Sequence, residues 1–389
     1  MTRQFSSIWF WFSVLALAIL AVFLLYPLLN VLTGSIGSGG RNGWVTLAGD
    51  PKYFAAIVNT IVLGVAVTLT TTLIGVPLAY FTARFDFPGK GIVAVLPLIT
   101  LVIPEVIAAQ TWLMMLGNNG FITRWLGGHG IDMPSFYGWP GLITVITFTY
   151  YTYIYIGTLA AIRGFDVQLE EAAQSLGTSP ARSRLNVMLP VVLPSVLASA
   201  LLVFTLVVGN FATATILGSR VPLLSVLTYQ AAVAEGGSDP VMQSTLATVS
   251  IALVMIVLFV QRWIVSRGRH EVTQGRGARA EKLRGLPGLF IGLAAGLLVI
   301  VSLLPLGSIV IGAFTVSRGP VMRWGEWTTA HVERLVKIAP DPVINTLLYS
   351  AAATVIGITF SAIVSYLIVK KRNILTPALD YLTALPLAL

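Results

Sequence analysis

Glu171-Ala172-Ala173-Gln174-Ser175-Leu176-Gly177, followed ten residues after the glycine by Val187-Met188-Leu189-Pro190, forms a polar, helix-forming insert between two hydrophobic runs. Leu169, Ala172, Ala173 and Leu176 recur at the spacing that gathers small and apolar side chains on one helix face, with Glu170 and Glu171 projecting elsewhere. Gly177 suits the left-handed conformation that ends a helix, and Thr178-Ser179-Pro180 supplies a cap followed by proline at the start of the next helix. The insert over 167–187 therefore reads as helix, sharp turn, helix. Arg182 and Arg184 stand before the next apolar run, which Pro190 and Pro194 break, so the elbow is expected to lean on a membrane surface. A short amphipathic elbow of this kind fits a groove in a soluble partner.

Composition places the rest of the chain in a bilayer. Hydrophobic residues make up 56% and charged residues 10% of the 389, against roughly 25% charged in soluble domains. The fold class is all-α: a polytopic transmembrane helical bundle. Spans are expected near 8–31, 54–81, 91–116, 138–161, 187–212, 243–263, 287–314 and 344–368, with another starting near 375, giving eight to nine. Each complete run exceeds the ~20 apolar residues needed to cross. The first is longer than the ~7–15-residue apolar core of a cleaved signal peptide and should stay as an anchor.

Basic loops are retained on the cytoplasmic side. With the N-terminus inside, Arg3, Arg84, Lys90, Arg163, Arg182, Arg184, the basic residues from Arg262 to Arg284 and Lys370 to Arg372 all fall in the cytoplasm, 16 of the 24 lysines and arginines. The elbow lands on the same side without having been used to set it. This bias accounts for most of the net charge of +9. The run Arg267 to Arg284 reads as a linker on anionic lipid rather than a nucleic-acid site.

With these residues in place the chain resembles the membrane-spanning permease subunits of ATP-binding-cassette (ABC) importers that work with a binding protein. Their cytoplasmic signature is Glu-Ala-Ala, three residues, Gly, nine residues, Ile, one residue, Leu-Pro. Glu171, Ala172, Ala173, Gly177, Val187, Leu189 and Pro190 match it, with valine in place of isoleucine. The resemblance implies the type I importer permease fold. It also implies that the elbow is a coupling helix docked in a cleft of a separate ATPase subunit, and that a periplasmic or lipid-anchored binding protein delivers the solute. The location so implied is the bacterial inner membrane.

An internal repeat organises the chain. Asn59-Thr60 begins a span ending Ala79-Tyr80, and Asn345-Thr346 begins another ending Ser365-Tyr366, an offset of 286 from Asn59 to Asn345. Ala66 matches Ala352, Thr68 matches Thr354, Leu96 matches Leu382, Leu101 matches Leu387, and Arg84 becomes Lys370. The expected division is a first permease unit over 1–263 with about six spans, a basic cytoplasmic linker over 264–286, and the start of a second, incomplete unit over 287–389. The coupling signature of that second unit would fall beyond Leu389, as in a fragment of a longer two-unit permease or a shortened product.

The chain carries no energy source of its own. Gly89-Lys90-Gly91 lacks the upstream glycine and following Ser or Thr of a phosphate-binding loop, so ATP hydrolysis belongs to another subunit. His129, His270 and His331 are scattered, and cysteine is absent, which excludes thiolate metal sites, cysteine nucleophiles and disulfides. The expectation is a non-enzyme that binds no cofactor or metal. Glu105 is the only acidic residue deep in a complete span and follows Pro104, which bends the helix. Translocation-path candidates are Glu105, Gln110 and Asn210; the competing reading is a structural carboxylate paired with Gln110, Asn59 or Asn210. Phe148, Tyr150, Tyr151, Tyr153 and Tyr155 read as helix packing or an interfacial belt before a substrate cage. Segments 117–137, 214–242 and 316–343 read as external loops suited to docking a soluble protein.

The two-unit layout, with Asn210-Phe211-Ala212-Thr213 and Leu217-Gly218 closing the fifth span, most resembles the ferric-iron importers. Similar permeases serve thiamine, polyamines and phosphonates. An ion-coupled secondary carrier is the rival from another class, and neither it nor an uncoupled scaffold accounts for the elbow.

Overall fold

The computed structural model describes residues 8–37, 42–218, 221–233, 237–267, 280–283, 285–318 and 321–384. Arg3, His270, most of the basic linker (268–279 and Arg284) and the Leu101–Leu387 match lie outside them.

Helix α1 runs Ile8–Ile36, α2 Gly43–Gly49, and α3 Pro51–Arg84. The short strand β1 (Phe85–Asp86) leads into α4 (Lys90–Val102), α5 (Glu105–Leu116) and α6 (Phe121–Gly127). Then come α7 (Trp139–Gly164), α8 (Val167–Ser175), α9 (Pro180–Val208), α10 (Ala212–Leu217), α11 (Leu224–Val233) and α12 (Pro240–Arg267). Strand β2 (Glu281–Lys282) precedes α13 (Leu286–Ala313); β3 (Thr315–Arg318) and β4 (Val321–Trp327) form a hairpin; α14 (Ala330–Ile338), α15 (Pro340–Lys370) and α16 (Thr376–Ala384) follow.

Seven of these helices are long and apolar enough to cross a membrane on their own. The third expected span is not one straight helix. It breaks between Val102 and Glu105, where α4 and α5 meet at 106°. Pro104 lacks an N–H and cannot continue the preceding turn. The Tyr155 hydroxyl donates to Ala94 C=O (3.1 Å), Thr152 to Pro97 C=O (3.0 Å), Tyr150 to Glu105, and Trp112 stacks on Phe148. These contacts step along α7 from Tyr155 to Phe148, and the described residues hold seven spans, or eight with the bent pair taken as one. The ninth run is the short α16.

Prolines elsewhere do not break helices. Pro190 and Pro194 lie within the continuous span α9, and the Arg184–Met188 segment just before Pro190 widens to a π-turn. Ala21–Leu25 does the same before Pro27. A π-turn re-registers the ladder where proline offers no donor. The expected interruption at Pro190 is therefore a local widening.

The core lies where α3, α7 and α9 pack, around Leu63, Val67, Leu142, Ile146, Ile154 and Val203. Small residues set the closeness: a Cβ at Gly75 would stand 2.8 Å from the Ile154 Cβ, and one at Gly64 would meet the Phe204 ring at 2.6 Å. Such contacts replace the hydrophobic drive that lipid cannot supply between helices. Segment 214–242, expected as an external loop, folds back instead. Leu217 and Leu224 are fully buried, and the Leu224 N–H donates to the Thr60 hydroxyl of α3 (3.0 Å).

Each of the first helices of the two expected units contacts the other unit, although the second half of α1 packs on α12 of its own, with the Thr245 hydroxyl donating to Ser35 C=O (3.3 Å). The start of α1 packs on α15 and α16, with Ala16 and Leu20 against Val364 and Leu379 and Asn373 donating to the Ser13 hydroxyl (2.8 Å). Helix α13 packs on the first unit, where Ala295 and Val299 join Phe87, Val93 and Tyr155. Helix ends recur at the repeat offset: α3 ends at Arg84 and α15 at Lys370, and α4 starts at Lys90 and α16 at Thr376.

Candidate functional site

The elbow forms as helix, turn, helix. Asp166 caps α8 by accepting from the Gln168 N–H (3.0 Å). At the far end Gly177 adopts φ +90°, and the Thr178 N–H closes on Ala173 C=O (3.1 Å). A side chain at Gly177 would be strained, so this turn requires glycine. Ser179 and Pro180 then start the first turn of α9.

Of the signature residues, Glu171, Ala172, Gly177, Leu189 and Pro190 are exposed, while Ala173 and Val187 are half-buried. Leu176 is 88% exposed and Leu185 62%. The sequence spacing places Glu170 off the apolar face without giving it a partner. Glu170, not the Leu169–Leu176 face, is its one buried side chain. The reason is long-range: the Glu170 carboxylate accepts a charge-assisted hydrogen bond from Arg84, itself buried at the last turn of α3. Leu169 and Leu176 are left outward, exposed among the described residues. Arg84 and Arg163, Arg182 and Arg184 lie at this one end of the bundle with Lys282 of β2, which pairs in parallel with β1. Arg184 donates to Glu281 (3.1 Å) and lies over the Phe85 ring at 6.0 Å.

The second site sits at the break in the third span. Tyr150 donates its hydroxyl hydrogen to one Glu105 oxygen, and the Asn210 amide donates to the other (2.9 Å) and to the Tyr150 oxygen (3.1 Å). Asn210 has a second role. Its Oδ1 accepts from the N–H groups of Thr213 (3.2 Å) and Ala214 (3.4 Å) and so caps α10, while its own C=O accepts from Ser225 (2.9 Å). Glu105 is half-exposed; Tyr150 and Asn210 are each 4% exposed. Two of the three sequence candidates, Glu105 and Asn210, thus meet. Gln110 does not join them and is exposed on α5. Asn59 instead donates to Pro222 C=O (3.1 Å). The aromatic set splits as well. Tyr150, Tyr151 and Tyr155 are buried in packing, with Tyr151 bonded to Ser302 of α13 (2.9 Å).

Sequence reasoning passed over Tyr150 as a partner and Glu170 as an anchor. A lone tyrosine in an aromatic run and one of two adjacent glutamates carry no local signal of their partners. Among the described residues no group of three or more His, Cys, Asp or Glu could hold a metal ion.

A bundle of seven apolar spans and one bent helix pair that carries a Glu-Ala-Ala elbow at one end has the architecture of a membrane permease. Residues 75–270 match the family described as binding-protein-dependent transport system inner membrane component, and the chain belongs to that family. It is 30% identical, over 99% of its length, to the probable ABC transporter permease protein y4fN of Sinorhizobium fredii. It is 23% identical over 93% of its length to the ferric transport system permease protein FbpB of Actinobacillus pleuropneumoniae. The molybdenum transport system permease protein ModB of Escherichia coli is 28% identical over 57% of this chain. The chain spans 70% of the first of these relatives and 54% of the second. A subunit of a crystallised bacterial alginate ABC transporter shares the fold at TM-score 0.55 and 19% identity, over 69% of this chain and 96% of that one.

Proposed function

We propose that this chain is the permease of an ATP-driven importer that moves a small solute, ferric iron as the first substrate to test, across the bacterial inner membrane. The observation that carries the reading is the elbow. A Glu-Ala-Ala helix is capped at both ends, is fixed to the bundle through Glu170, and leaves Leu176 and Leu169 exposed. That surface receives a separate ABC ATPase, which binds and hydrolyses the ATP; the chain binds no cofactor and performs no chemistry. A periplasmic or lipid-anchored binding protein docks at the opposite end. The N-terminus and the elbow are cytoplasmic, in keeping with the arginines gathered at the elbow end.

The chain reads as two permease units, over 1–263 and 287–389, joined by the linker 264–286. The recurring helix ends at Arg84/Lys370 and Lys90/Thr376 support duplication. Ferric relatives aligning over 93% of the chain support the two-unit layout; relatives named for molybdenum and sulfate align over 57% and 54%. Glu105 borders the translocation path at the broken span, with its carboxylate aimed by Asn210, and Gln110 lines the exposed side of α5.

The chain has no cysteine, so a single Ala173→Cys substitution gives an addressable crosslinker at the elbow in native membranes. Capture of an ABC ATPase, lost when Leu176→Glu is added, supports the reading. Repeated failure to capture an ATPase, with the chain present and folded, overturns it. Binding-protein-dependent uptake of ferric ion against thiamine, spermidine and phosphonate then decides the substrate.

A further inference from the structure

A coupling elbow is useful only if a push on it reaches the spans, and α8 is poorly built to pass one on. It has nine residues, too few to be stable alone. Ala172, Gln174, Ser175 and Leu176 are all exposed. Its buried side chain, Glu170, reaches Arg84, which is 86 residues away in sequence and ends α3, the longest helix of the chain. Helix α3 in turn packs along α7 and α9 through the core. The backbone joins the elbow only to α7 and α9; toward α3, Val187 and Met188 on its far arm share an apolar cluster with Tyr80 and Ala83, while the α8 arm is tied through the Glu170–Arg84 contact. The Ser183 hydroxyl reaches Glu170 C=O at 3.4 Å and closes the far arm of the elbow onto the same point. The cation also sits at a helix C-terminus, where the backbone dipole favours it.

Resting on the importer reading above, we propose that Arg84 and Glu170 are a positioning pair that makes the elbow one rigid body with α3, so that a stroke delivered at the elbow moves α3 without slip. Neither residue touches solute or nucleotide. A buried pair resists bending better than an apolar contact because its geometry is directional, and losing either partner strands a buried charge. The bond runs from Arg84 Nη2 to Glu170 Oε2, and the other two buried polar atoms, Arg84 Nη1 and Glu170 Oε1, have no hydrogen-bond partner among the described residues.

The test uses the full chain purified with its ATPase in lipid nanodiscs, with spin labels on cysteines replacing Gln174 of the elbow and Leu73, which is 75% exposed on α3. Distances are measured without nucleotide and with ADP-vanadate trapped. The unsubstituted pair should give one distance, equal in both states. Glu170→Gln and Arg84→Met should lower the ratio of native to displaced elbow by about 2- to 30-fold, the range typical of couplings between packed elements, and vanadate should widen the displacement. Exchanging the charges, Arg84→Glu with Glu170→Arg, should restore the single distance. Single variants that keep the native distance in both states overturn the proposal. So does a monodisperse charge-exchanged protein that fails to recover it. If no ATPase co-purifies with the unsubstituted chain, the importer reading fails instead, and the nucleotide-free distances still decide the pair.

Discussion

Substituting Gly75 tests the packing that places the elbow. A Cβ there would lie 2.8 Å from the Ile154 Cβ and 2.9 Å from the Tyr151 carbonyl oxygen, where ordinary contact begins at 3.4 Å. The second neighbour is backbone and cannot rotate away, so α3 and α7 must part by roughly half an ångström before the two further methyls of valine are placed. Overpacking of this kind costs about 1–3 kcal/mol, and valine recovers only about 0.5 of it through better helix propensity than glycine. Gly296→Val on α13 is the control, since a Cβ there has nothing within 4 Å. In thermal unfolding of the purified chain at one fixed scan rate, Gly75→Val should lower the midpoint by about 2–12 °C relative to Gly296→Val. Ile154 is fully buried, and Ile154→Ala alone should cost about 2–5 kcal/mol through its cavity. Combined, the two should cost less than their sum by about 1 kcal/mol or more, because the valine fills the space the isoleucine leaves. Equal midpoints for Gly75→Val and Gly296→Val, or strictly additive penalties, would refute the close approach of α3 to α7.

The polar cluster makes a second prediction. Asn210→Ala removes both the cap of α10 and the donor to Glu105 and should destabilise by about 2–4 kcal/mol, whereas the exposed Gln110→Ala should stay within about 0.5 kcal/mol in the same unfolding assay. A third concerns the turn of the elbow. Gly177→Ala forces a Cβ into φ +90° at about 1–2 kcal/mol. Because α8 is held at Glu170, the global midpoint should barely move while limited proteolysis at Thr178–Ser179 rises roughly 5- to 30-fold; unchanged cleavage would show that the turn bears no strain.

The elbow was legible because its determinants are local. A capping Asp166, the Glu-Ala-Ala run, Gly177 and Pro180 each act within a few residues of themselves. The anchor of α8 was not legible for the opposite reason. Apolar spacing grouped Leu169 with Leu176 on one face, but the burial of Glu170 depends on Arg84 of another helix. Segment 214–242 failed similarly. Its polar punctuation resembles a loop, yet Leu217 and Leu224 find a pocket against α3 and α7 that only the assembled bundle provides.

At the broken span, Pro104 announced the bend and Glu105 the polar site, but not the partner. Glu105 lies 45 residues from Tyr150 and 105 from Asn210 in sequence. Spacing and polarity single out Asn59, Gln110 and Asn210 as partners for Glu105, and not Tyr150. Nothing in the order of residues distinguishes a tyrosine that bonds a carboxylate from its four aromatic neighbours on α7.

The sequence by itself determined that the chain is a helical membrane protein, where nearly every span runs and which insert forms the elbow. Apolar length, caps and glycine turns are properties of contiguous residues, and the bilayer leaves a helix as the way for a single segment to satisfy its own backbone. The tertiary structure alone decided the 106° break, the Tyr150–Glu105–Asn210 cluster, the Arg84–Glu170 anchor and the packing of α1 on α15 and α16 and of α13 beside Phe87 and Tyr155. Each of these is a choice of partner among many chemically equivalent side chains. That choice is made by how closely particular helices approach, which small residues such as Gly64 and Gly75 set, and which no local pattern encodes.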